Sequence, residues 1–375
     1  MLKPVAFVYG DELTSHKLSD THPMKPVRLR HTYELLNSYK VFSKKSNILV
    51  PPRYSMEKEI LLYHDKEYLE FIKNIDGSHV LGDGLKFGLG TSDNPIFPGI
   101  YRAASLSTGA TMKAVDMMLK DEVDYAMSIS GGLHHAMPGY ASGFCIFNDP
   151  VIAIKRFLSQ GLKVAYVDID CHHGDGVQHA FYDTDSVLNI SIHESGSFLF
   201  PGTGFTDEIG NGKGRNYSVN IPLYPYTMDS TYFWAFESTV LPLLDTFKPD
   251  VLVSQLGIDT HFSDPITHLC LTVQGFSKII ERFIGTAPKW LALGGGGYDV
   301  EAVARSWASG FGIMSGDKLK NTIPNSYSKN GHQDRLFDDM IFDQKDSIKK
   351  KTQLFAEESV YAIKSRLFGF HGISG

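Results

Sequence analysis

The sequence predicts an α/β protein built on a mainly parallel sheet. Short apolar runs rich in β-branched residues alternate along the chain with longer segments of helical period. Each apolar run is nearly continuous instead of alternating apolar with polar residues, and this is the pattern of parallel strands that helices bury on both faces. The length of 375 residues suffices for one large α/β domain or two ordinary ones.

Strands and helices are predicted in alternation over the middle of the chain. The predicted strands are 123–130, 163–170, 186–194, 250–258 and 289–293, and the helices are 99–120, 150–160, 228–246, 274–285 and 300–314. The first hundred residues look more helical, with amphipathic segments at 27–39 and 57–75.

The last sixty residues have a different character. The chain is polar and loop-like from Gly316 to about Lys345, and 346–367 then predicts a closing helix with Ser347 as its cap. The apolar face of this helix would carry Ile348, Phe355, Ala362, Ile363 and Leu367. Because neither a fixed repeat nor a linker rich in proline, glycine and serine divides the chain, we predict a single domain over 1–375.

Composition narrows the class of protein. The net charge of −6 argues against a nucleic-acid-binding surface spread over the molecule. The three cysteines, Cys145, Cys171 and Cys270, are too few and too far apart for a disulfide framework and fit a reducing compartment. Neither a signal-peptide pattern nor an apolar run of about 20 residues is present. We therefore expect a cytoplasmic enzyme or binding protein with no nucleic-acid or membrane partner.

Chemically active residues follow five of the predicted strands. In a parallel α/β sheet, ligands bind outside the carboxyl ends of the strands. The segments found there are, in chain order, "GGLHHA" (131–136), "DIDCHHGDG" (168–176), "SIHE" (191–194), "GIDTH" (257–261) and "GGGGY" (294–298). Histidines, aspartates, glycines and a tyrosine therefore converge on one edge of the sheet.

The second of these segments predicts a metal site. Side chains two apart on an extended chain share a face, so Asp168, Asp170 and His172 project together. Asp259, from another strand end, completes an Asp-His-Asp set with open positions for water and substrate. These oxygen-rich ligands allow zinc, iron(II), manganese and cobalt.

The other segments supply groups for proton transfer. Imidazole is the side chain best suited to proton transfer near pH 7, and His134 and His135, beside two further carboxylates, predict two His-Asp pairs. "GGGGY" is not a phosphate loop, because neither the lysine nor the spacing of such loops is present. Its glycines permit close backbone approach, and the hydroxyl of Tyr298 can serve as an oxyanion donor.

These residues resemble the metal-dependent histone deacetylase superfamily. The motifs that carry the resemblance are "HPMKPVR" (22–28), "SDNPIF" (92–97), "GGLHHA" (131–136), "ASGFCIFND" (141–149), "VDIDCHHGDGVQHAFY" (166–182), "SIH" (191–193), "FPGTG" (200–204), "QLGIDTH" (255–261) and "GGGGY" (294–298). They occur in the family's order over about 5–310. "GGLHHA" with "ASGFC" looks like the class I and acetoin-utilisation branches. The resemblance implies the arginase/deacetylase fold, with an eight-stranded, mainly parallel sheet between helices.

The resemblance also implies roles for the candidate residues. The zinc ligands would be Asp170, His172 and Asp259, and Tyr298 would polarise the acyl carbonyl. His135 would be the general base and later the acid. Its carboxylate partner would be Asp175, and the electrostatic second pair would be His134 and Asp168. A structural potassium ion would be held by Asp168, Asp170, His172, Ser191 and Ile192.

Further positions match the substrate-binding residues of the family. Gly143, Phe144 and Phe200 would line a narrow channel for the lysine stem. Asp93 would bind the substrate backbone at the rim, and Arg28 would lie near the inner end of the pocket. Ile266 stands where class I members have leucine or methionine at the pocket wall.

The expected activity is zinc-dependent hydrolysis of Nε-acyl-lysine, most of all acetyl-lysine, in proteins or peptides. An amidohydrolase for acetylpolyamines or other small molecules on the same fold is one alternative, and a non-catalytic binder of acyl-lysine is another. A two-manganese site of the arginase kind is disfavoured, because this chain has His135 and Tyr298 where further acidic ligands would be needed.

Overall fold

A computed structural model describes residues 3–15, 18–19, 21–75, 81–329, 331–339 and 344–374. Its centre is one eight-stranded sheet in the order β2-β1-β3-β8-β7-β4-β5-β6, and every neighbouring pair is parallel. The strands are β1 Val5–Val8, β2 Asn47–Val50, β3 Tyr125–Ser128, β4 Val164–Asp168, β5 Val187–Glu194, β6 Ser218–Leu223, β7 Val251–Gln255 and β8 Lys289–Leu293. The predicted fold class, an α/β protein with a parallel eight-stranded sheet, is confirmed.

Helices connect the strands and cover the sheet. They are α1 Val27–Ser38, α2 Glu57–Ile60, α3 Lys66–Asn74, α4 Leu81–Lys86, α5 Ile100–Leu119, α6 Asp149–Leu158, α7 Asp175–Phe181, α8 Asp229–Phe247, α9 Val273–Phe283, α10 Val300–Met314, α11 Asn325–Ser328 and α12 Asp346–Ile363. Short 3₁₀ turns and a π-helical turn at Lys364–Phe368 complete the regular structure. Within the described residues, no helix is long and apolar enough to cross a membrane.

The five strands predicted from sequence form one uninterrupted block, β3-β8-β7-β4-β5. Every residue of β4, β5 and β7 is buried, as nearly continuous hydrophobicity predicts for strands covered on both faces. Since all strands run in the same direction, the five segments with chemically active residues leave the sheet at one edge.

The sequence analysis did not predict strands β1, β2 and β6, and all three lie outside this block. β2 and β6 are the two edge strands, and β1 is next to β2. β6 contains Pro222, which lacks an N–H for the ladder and is tolerated at an edge. β6 is buried along its whole length, but Ser218, Asn220 and Pro222 interrupt its apolar run, and β1 is a buried run of only four apolar residues.

The amphipathic segment 57–75 does not form the single helix that was predicted. α2 ends at Ile60, the chain turns, and α3 begins at Lys66. The turn is held by tertiary contacts, because the backbone N–H of Asp65 donates to the carbonyl of Pro138 at 2.9 Å. In addition, Nε2 of His64 accepts a hydrogen bond from the N–H of Asn148 at 2.9 Å. These hydrogen bonds to distant loops stabilise the turn, although the spacing of apolar residues in 57–75 is that of one continuous helix.

The predicted closing helix is present as α12, which packs against β6 and α8. The hydroxyl of Ser359 donates to the carbonyl of Pro222 at 2.8 Å, so the helix covers the edge strand. The prediction that Ser347 caps it is wrong, because the helix begins at Asp346 and Ser347 lies in its first turn. In the preceding polar segment, 330 and 340–343 lie outside the described residues. The interpretation of 1–375 as one domain stays a prediction.

Candidate active site

A carboxylate–imidazole cluster lies beyond the ends of β4 and β7. Nδ1 of His172 is 3.2 Å from Oδ1 of Asp170 and 3.0 Å from Oδ2 of Asp259. One ligand atom from each of the three residues lies within 4.8 Å of the other two, and all three are buried. The site that the alternation of side chains predicted is therefore assembled by the fold.

Backbone and amide groups fix the two carboxylates of this cluster. Oδ2 of Asp170 accepts hydrogen bonds from Nε2 of Gln255 at 2.6 Å and from the N–H of Gly296 at 2.7 Å. Oδ1 of Asp259 accepts one from the N–H of Cys171 at 2.8 Å. A Cβ atom at Gly296 would lie only 2.0 Å from Oδ2 of Asp259, so the glycine run after β8 is required for this close approach.

The electrostatics of the cluster suit a divalent cation. Burial raises the pKa of Asp259 to about 8, and the negative charge of Asp170 adds to the rise. The hydrogen bonds of His172 to both aspartates outweigh the effect of burial and raise its pKa to about 10. Two adjacent buried carboxylates repel each other, and a bound metal ion removes that cost. The three residues therefore fit the metal ligands predicted from the sequence.

Two His-Asp pairs lie beside the cluster. Nδ1 of His134 is 2.7 Å from Oδ2 of Asp168, and Nδ1 of His135 is 2.7 Å from Oδ1 of Asp175. The two Nε2 atoms are 3.0 Å apart. Oδ2 of Asp168 also accepts a hydrogen bond from the hydroxyl of Tyr166 at 2.7 Å. Each imidazole is thus oriented by a carboxylate and points its other nitrogen at its neighbour.

The environment gives the two histidines different proton affinities. Burial lowers the pKa of His134, but the charges of Asp168 and Asp170 outweigh it and raise the pKa to about 9. Burial lowers the pKa of His135 to about 4, and the positive charge of His134 adds to the fall. His134 therefore holds a proton more strongly than His135, a difference typical of residues with separate roles in proton transfer.

Tyr298 lies directly after the glycine run. Its N–H donates to Oδ2 of Asp264 at 2.8 Å, and its ring packs edge-on against Phe144 with centroids 5.7 Å apart. Burial, followed by the charges of Asp259 and Asp170, raises the pKa of Tyr298 well above its usual value. The phenol therefore keeps its proton and is available as a hydrogen-bond donor.

One small pocket joins these groups. Its lining residues are Met24, Gly132, Leu133, His134, His135, Gly143, Cys145, Asp170, His172, Gly295, Gly296 and Tyr298. Phe200, which is 46% exposed, stands at its outer side with its ring centroid 5.0 Å from that of His135. A Cβ atom at Gly143 would lie 2.4 Å from Cδ2 of His135 and 3.0 Å from Cε1 of Phe200. The absence of a side chain at Gly143 therefore lets the backbone pass close to the rings of His135 and Phe200.

A family model described as the histone deacetylase domain matches residues 22–314. This chain belongs to the histone deacetylase family. Membership agrees with the metal-ligand cluster of Asp170, His172 and Asp259, since the family consists of metal-dependent deacetylases, which are hydrolases.

Similar proteins support this assignment. The chain is 38% identical over 333 residues to the acetoin utilization protein AcuC of Bacillus subtilis (strain 168), a match that covers 86% of this chain and 85% of the relative. The protein of the same name from Staphylococcus aureus (strain MRSA252) is 37% identical over 318 residues, which are 83% of this chain and 81% of the relative. The chain is therefore of the AcuC type within the family.

Solved structures show the same fold. The crystal structure of an HDAC homolog from Aquifex aeolicus is similar with a TM-score of 0.86 and 29% sequence identity, over 96% of this chain and 100% of that chain. A second structure, of an HDAC homolog complexed with SAHA, matches with the same TM-score and the same coverage. The arginase/deacetylase fold implied by the sequence motifs is thereby confirmed.

Arg28 of this histone deacetylase family member is buried beside the pocket. Its guanidinium donates to the carbonyl of Gly297 at 2.8 Å and lies 5.1 Å from the centroid of Trp307. Arg28 lines an apolar cavity of about 100 Å³. Met24 and Leu133 line both this cavity and the pocket described above. Arg28 is therefore buried next to the pocket, and its part in substrate binding stays a prediction.

Two predicted substrate-binding residues lie further out. Asp93 is exposed and does not line the pocket, and its carbonyl is 3.1 Å from Nε2 of His22, whose ring contacts Phe144 at 4.6 Å. The N–H of Ile266 donates to Oδ1 of Asp264 at 3.0 Å. The other oxygen of that carboxylate binds the backbone of Tyr298, so Ile266 is one hydrogen-bonded residue away from the pocket.

The residues predicted to hold potassium include two members of the cluster, Asp170 and His172, and three residues of the adjoining strands β4 and β5. Asp168 and Ser191 are direct neighbours across β4 and β5. Oδ1 of Asp168 accepts a hydrogen bond from the N–H of Asp170 at 3.1 Å, and the hydroxyl of Ser191 lies 2.8 Å from Nδ1 of His193. Asp168 is fully buried, and His134 and Tyr166 already contact its Oδ2. The potassium site stays a prediction.

Sequence reasoning missed the residues that hold the histidine loop. Nδ2 of Asn148 donates to the carbonyls of His134 and Ala136 at 3.1 and 3.0 Å, and Oδ1 caps α6 by accepting from the N–H of Val151. Asp149 accepts hydrogen bonds from the backbone N–H groups of 132 and 133. Both residues end the "ASGFCIFND" motif, and their side-chain partners are fixed only by the folded chain.

Asn148→Ala is expected to lower the free energy of unfolding by about 2–4 kcal/mol, because it removes a helix cap and leaves two buried carbonyls without a donor. Unfolding in urea measures the loss. Asn37→Ala, an exposed position on α1, is the matched control and should leave stability nearly unchanged. Equal stability of the two variants would contradict this account of the loop.

Proposed function

We propose that this chain hydrolyses Nε-acyl-lysine, most of all acetyl-lysine, in proteins or peptides and releases acetate and free lysine. The observation that carries the proposal is the convergence of a metal-ligand cluster, a neutral buried histidine and a protonated tyrosine on one pocket. Those are the groups that hydrolysis of an amide requires, because water is a poor nucleophile and an amine is a poor leaving group.

Asp170, His172 and Asp259 would hold the metal ion, for which we propose zinc. Carboxylates and an imidazole are ligands that zinc accepts, and iron(II), manganese(II) and cobalt(II) suit the same set. A divalent cation bound there supplies Lewis acidity toward water and toward the acyl carbonyl. The buried repulsion between Asp170 and Asp259 supports a cation at this position.

His135 is the proposed general base and acid. Its pKa is lowered, so it is neutral near pH 7, and Asp175 holds Nδ1 and leaves Nε2 to exchange a proton. In the proposed reaction Nε2 takes a proton from the attacking water and later gives it to the departing lysine nitrogen. His134, paired with Asp168, supplies a fixed positive charge next to that exchange.

Tyr298 is the proposed donor to the acyl oxygen. Negative charge develops on that oxygen as water attacks, and a positioned hydroxyl stabilises it without reorganisation. The phenol is held by packing on Phe144 and by the backbone hydrogen bond to Asp264. The pKa of Tyr298 is raised, so the hydroxyl donates over the whole physiological range of pH.

The entrance suits an aliphatic stem. Phe144 packs against Tyr298, Phe200 packs against His135, and Gly143 adds no side chain between them. Aromatic faces around a narrow opening bury the methylene groups of an acylated lysine and exclude water. We assign Asp93 to the rim, Ile266 to the pocket wall and Arg28 to the inner end of the pocket on the strength of the family motifs.

A structural potassium ion and a reducing compartment belong to the same proposal. Asp168 and Ser191, with the backbone carbonyls of Asp170, His172 and Ile192, would surround the potassium ion. All three cysteines are buried and free of disulfides, which fits the cytoplasm.

A panel of substrates tests the proposal. We expect the metal-loaded enzyme to turn over an acetyl-lysine peptide faster than longer acyl-lysine peptides and faster than acetylspermidine. Preference for acetylspermidine would replace the proposal by a polyamine amidohydrolase. Binding of the acetyl-lysine peptide without any turnover would replace it by a non-catalytic binder.

Removal of metal is a separate test of the ligand cluster. Exhaustive chelation is expected to abolish hydrolysis, and added Zn²⁺, Fe²⁺, Mn²⁺ or Co²⁺ is expected to restore it, because imidazole and carboxylate ligands accept all four. Asp259→Asn should prevent the recovery, whereas His179→Ala, an exposed position on α7, should not. Hydrolysis that survives chelation would overturn the metal-dependent mechanism.

A further inference from the structure

A second group of metal-ligand side chains lies where three separate parts of the chain meet. His31 is on α1, Glu301 is in the first turn of α10, and His332 belongs to the segment 331–339. One ligand atom from each lies within 4.8 Å of the other two. We propose that these three residues form a binding site for a divalent transition-metal ion, separate from the metal-ligand cluster of the active site.

The carboxylate of this group contacts one histidine and faces the other. Oε1 of Glu301 is 2.7 Å from Nδ1 of His332 and 3.5 Å from Nδ1 of His31. Oε1 therefore lies between the two imidazole nitrogens and faces both of them.

The spacing suits a small cation with a tetrahedral shell. Zinc lies about 2.0–2.2 Å from nitrogen and oxygen ligands, so two ligands of one ion are about 3.4 Å apart. The distance between Nδ1 of His31 and Oε1 of Glu301 is 3.5 Å, close to this value. The distance between Nδ1 of His332 and Oε1 of Glu301 is 2.7 Å, so it must lengthen by about 0.7 Å to reach about 3.4 Å. A small rotation of one side chain is enough for this change.

His31 has an unused coordinating atom. Its Nδ1 is buried and makes no hydrogen bond with the described residues, although it faces Glu301. Leaving a buried polar nitrogen without a partner is unfavourable, and a metal bond removes that cost. The side chains of His31, His332 and Glu301 retain exposures of 21%, 14% and 28%, so an ion can enter from solvent.

The surroundings hold the ligands in place. The ring of Tyr327 stacks on His332 with centroids 4.2 Å apart and an interplanar angle of 23°. This stacking supports the imidazole of His332 while its Nδ1 faces Glu301.

The ligand set selects the class of metal. Imidazole nitrogens favour zinc, cobalt, nickel and copper, whereas magnesium and calcium require more oxygen ligands. A metal ion here would join 331–339 to α10, the helix that begins directly after Tyr298 and Asp299. The same segment already binds α10 through Asp338 and Arg305, whose side chains are 2.7 Å apart. The site would therefore be a structural clamp at the start of the helix that follows Tyr298.

Counting bound zinc tests the proposal. The full-length protein, stripped of metal and re-equilibrated with excess Zn²⁺, is passed through a desalting column and its zinc is measured. We expect the variant with both His31→Ala and His332→Ala to hold one zinc fewer per chain than the wild type. His179→Ala, which removes an exposed histidine elsewhere, should hold as much as the wild type.

A second variant and a spectroscopic measurement complete the test. Glu301→Gln has nearly the same shape as the native residue, so it answers the question if the double histidine variant fails to fold. With Co²⁺ as the probe, the visible absorption of the His172→Ala variant should persist and that of a combined His172→Ala and His332→Ala variant should be lost. Equal zinc content in wild type, Glu301→Gln and the double variant would overturn the second site. The outcome does not depend on deacylase activity.

Discussion

His135→Ala is expected to lower kcat on an acetyl-lysine peptide by about 10²–10⁴-fold, the contribution of a positioned acid-base group. The reason is that His135 is the neutral member of the histidine pair, with a pKa lowered by burial and by the charge of His134. His134 is oriented by a carboxylate in the same way, but its raised pKa makes it a weaker proton acceptor near pH 7 than His135. Steady-state kinetics on metal-loaded protein measures the effect.

The control for this prediction is His179→Ala, which removes a solvent-exposed imidazole from α7. It should turn over substrate at the wild-type rate, and circular dichroism should show native helix content for both variants. Asp175→Asn should lower kcat in the same direction as His135→Ala, because the orienting carboxylate contacts Nδ1 at 2.7 Å. Near wild-type turnover of a folded, metal-loaded His135→Ala enzyme would show that His135 is not the general base.

Tyr298→Phe is expected to lower kcat by about 10²–10³-fold, the effect of removing one oxyanion donor. The substitution deletes only the hydroxyl, so the ring can keep its contact with Phe144 and the backbone its bond to Asp264. Thermal stability should therefore remain close to that of the wild type. KM should change far less than kcat, because the hydroxyl acts on charge that develops in the transition state.

Tyr140→Phe is the matched control, since Tyr140 is 46% exposed and does not line the pocket. It should leave both kinetic constants unchanged. If Tyr298→Phe instead raised KM with kcat intact, Tyr298 would be a ground-state binding residue and not the donor to the oxyanion.

Much of the site was open to prediction because its residues lie at strand ends. Asp168, Asp170 and His172 follow one apolar strand closely, and alternation along an extended chain places them on one face. The meeting of His134 with Asp168 also follows from the rule that parallel strands end at a common edge. The supporting residues Gln255, Asn148 and Asp264 could not be found in this way, because polar residues in loops have many partners available before folding.

The spacing of apolar residues also gave a wrong prediction where distant loops form hydrogen bonds with the segment. The segment 57–75 has the apolar spacing of one helix, yet it breaks because Asp65 and His64 bond to the loops at 138 and 148. Likewise, β6 carries Pro222 and reads poorly as a strand, but the edge of a formed sheet accepts it.

The sequence by itself determined the fold class, the family motifs and the identity of the titratable residues at the strand ends, because each depends on neighbours along the chain. Only the tertiary structure decided the order β3-β8-β7-β4-β5, the different proton affinities of His134 and His135, and the meeting of His31, Glu301 and His332. Strand order, burial and distances between remote segments arise from packing of the whole chain, and electrostatic effects depend on those distances.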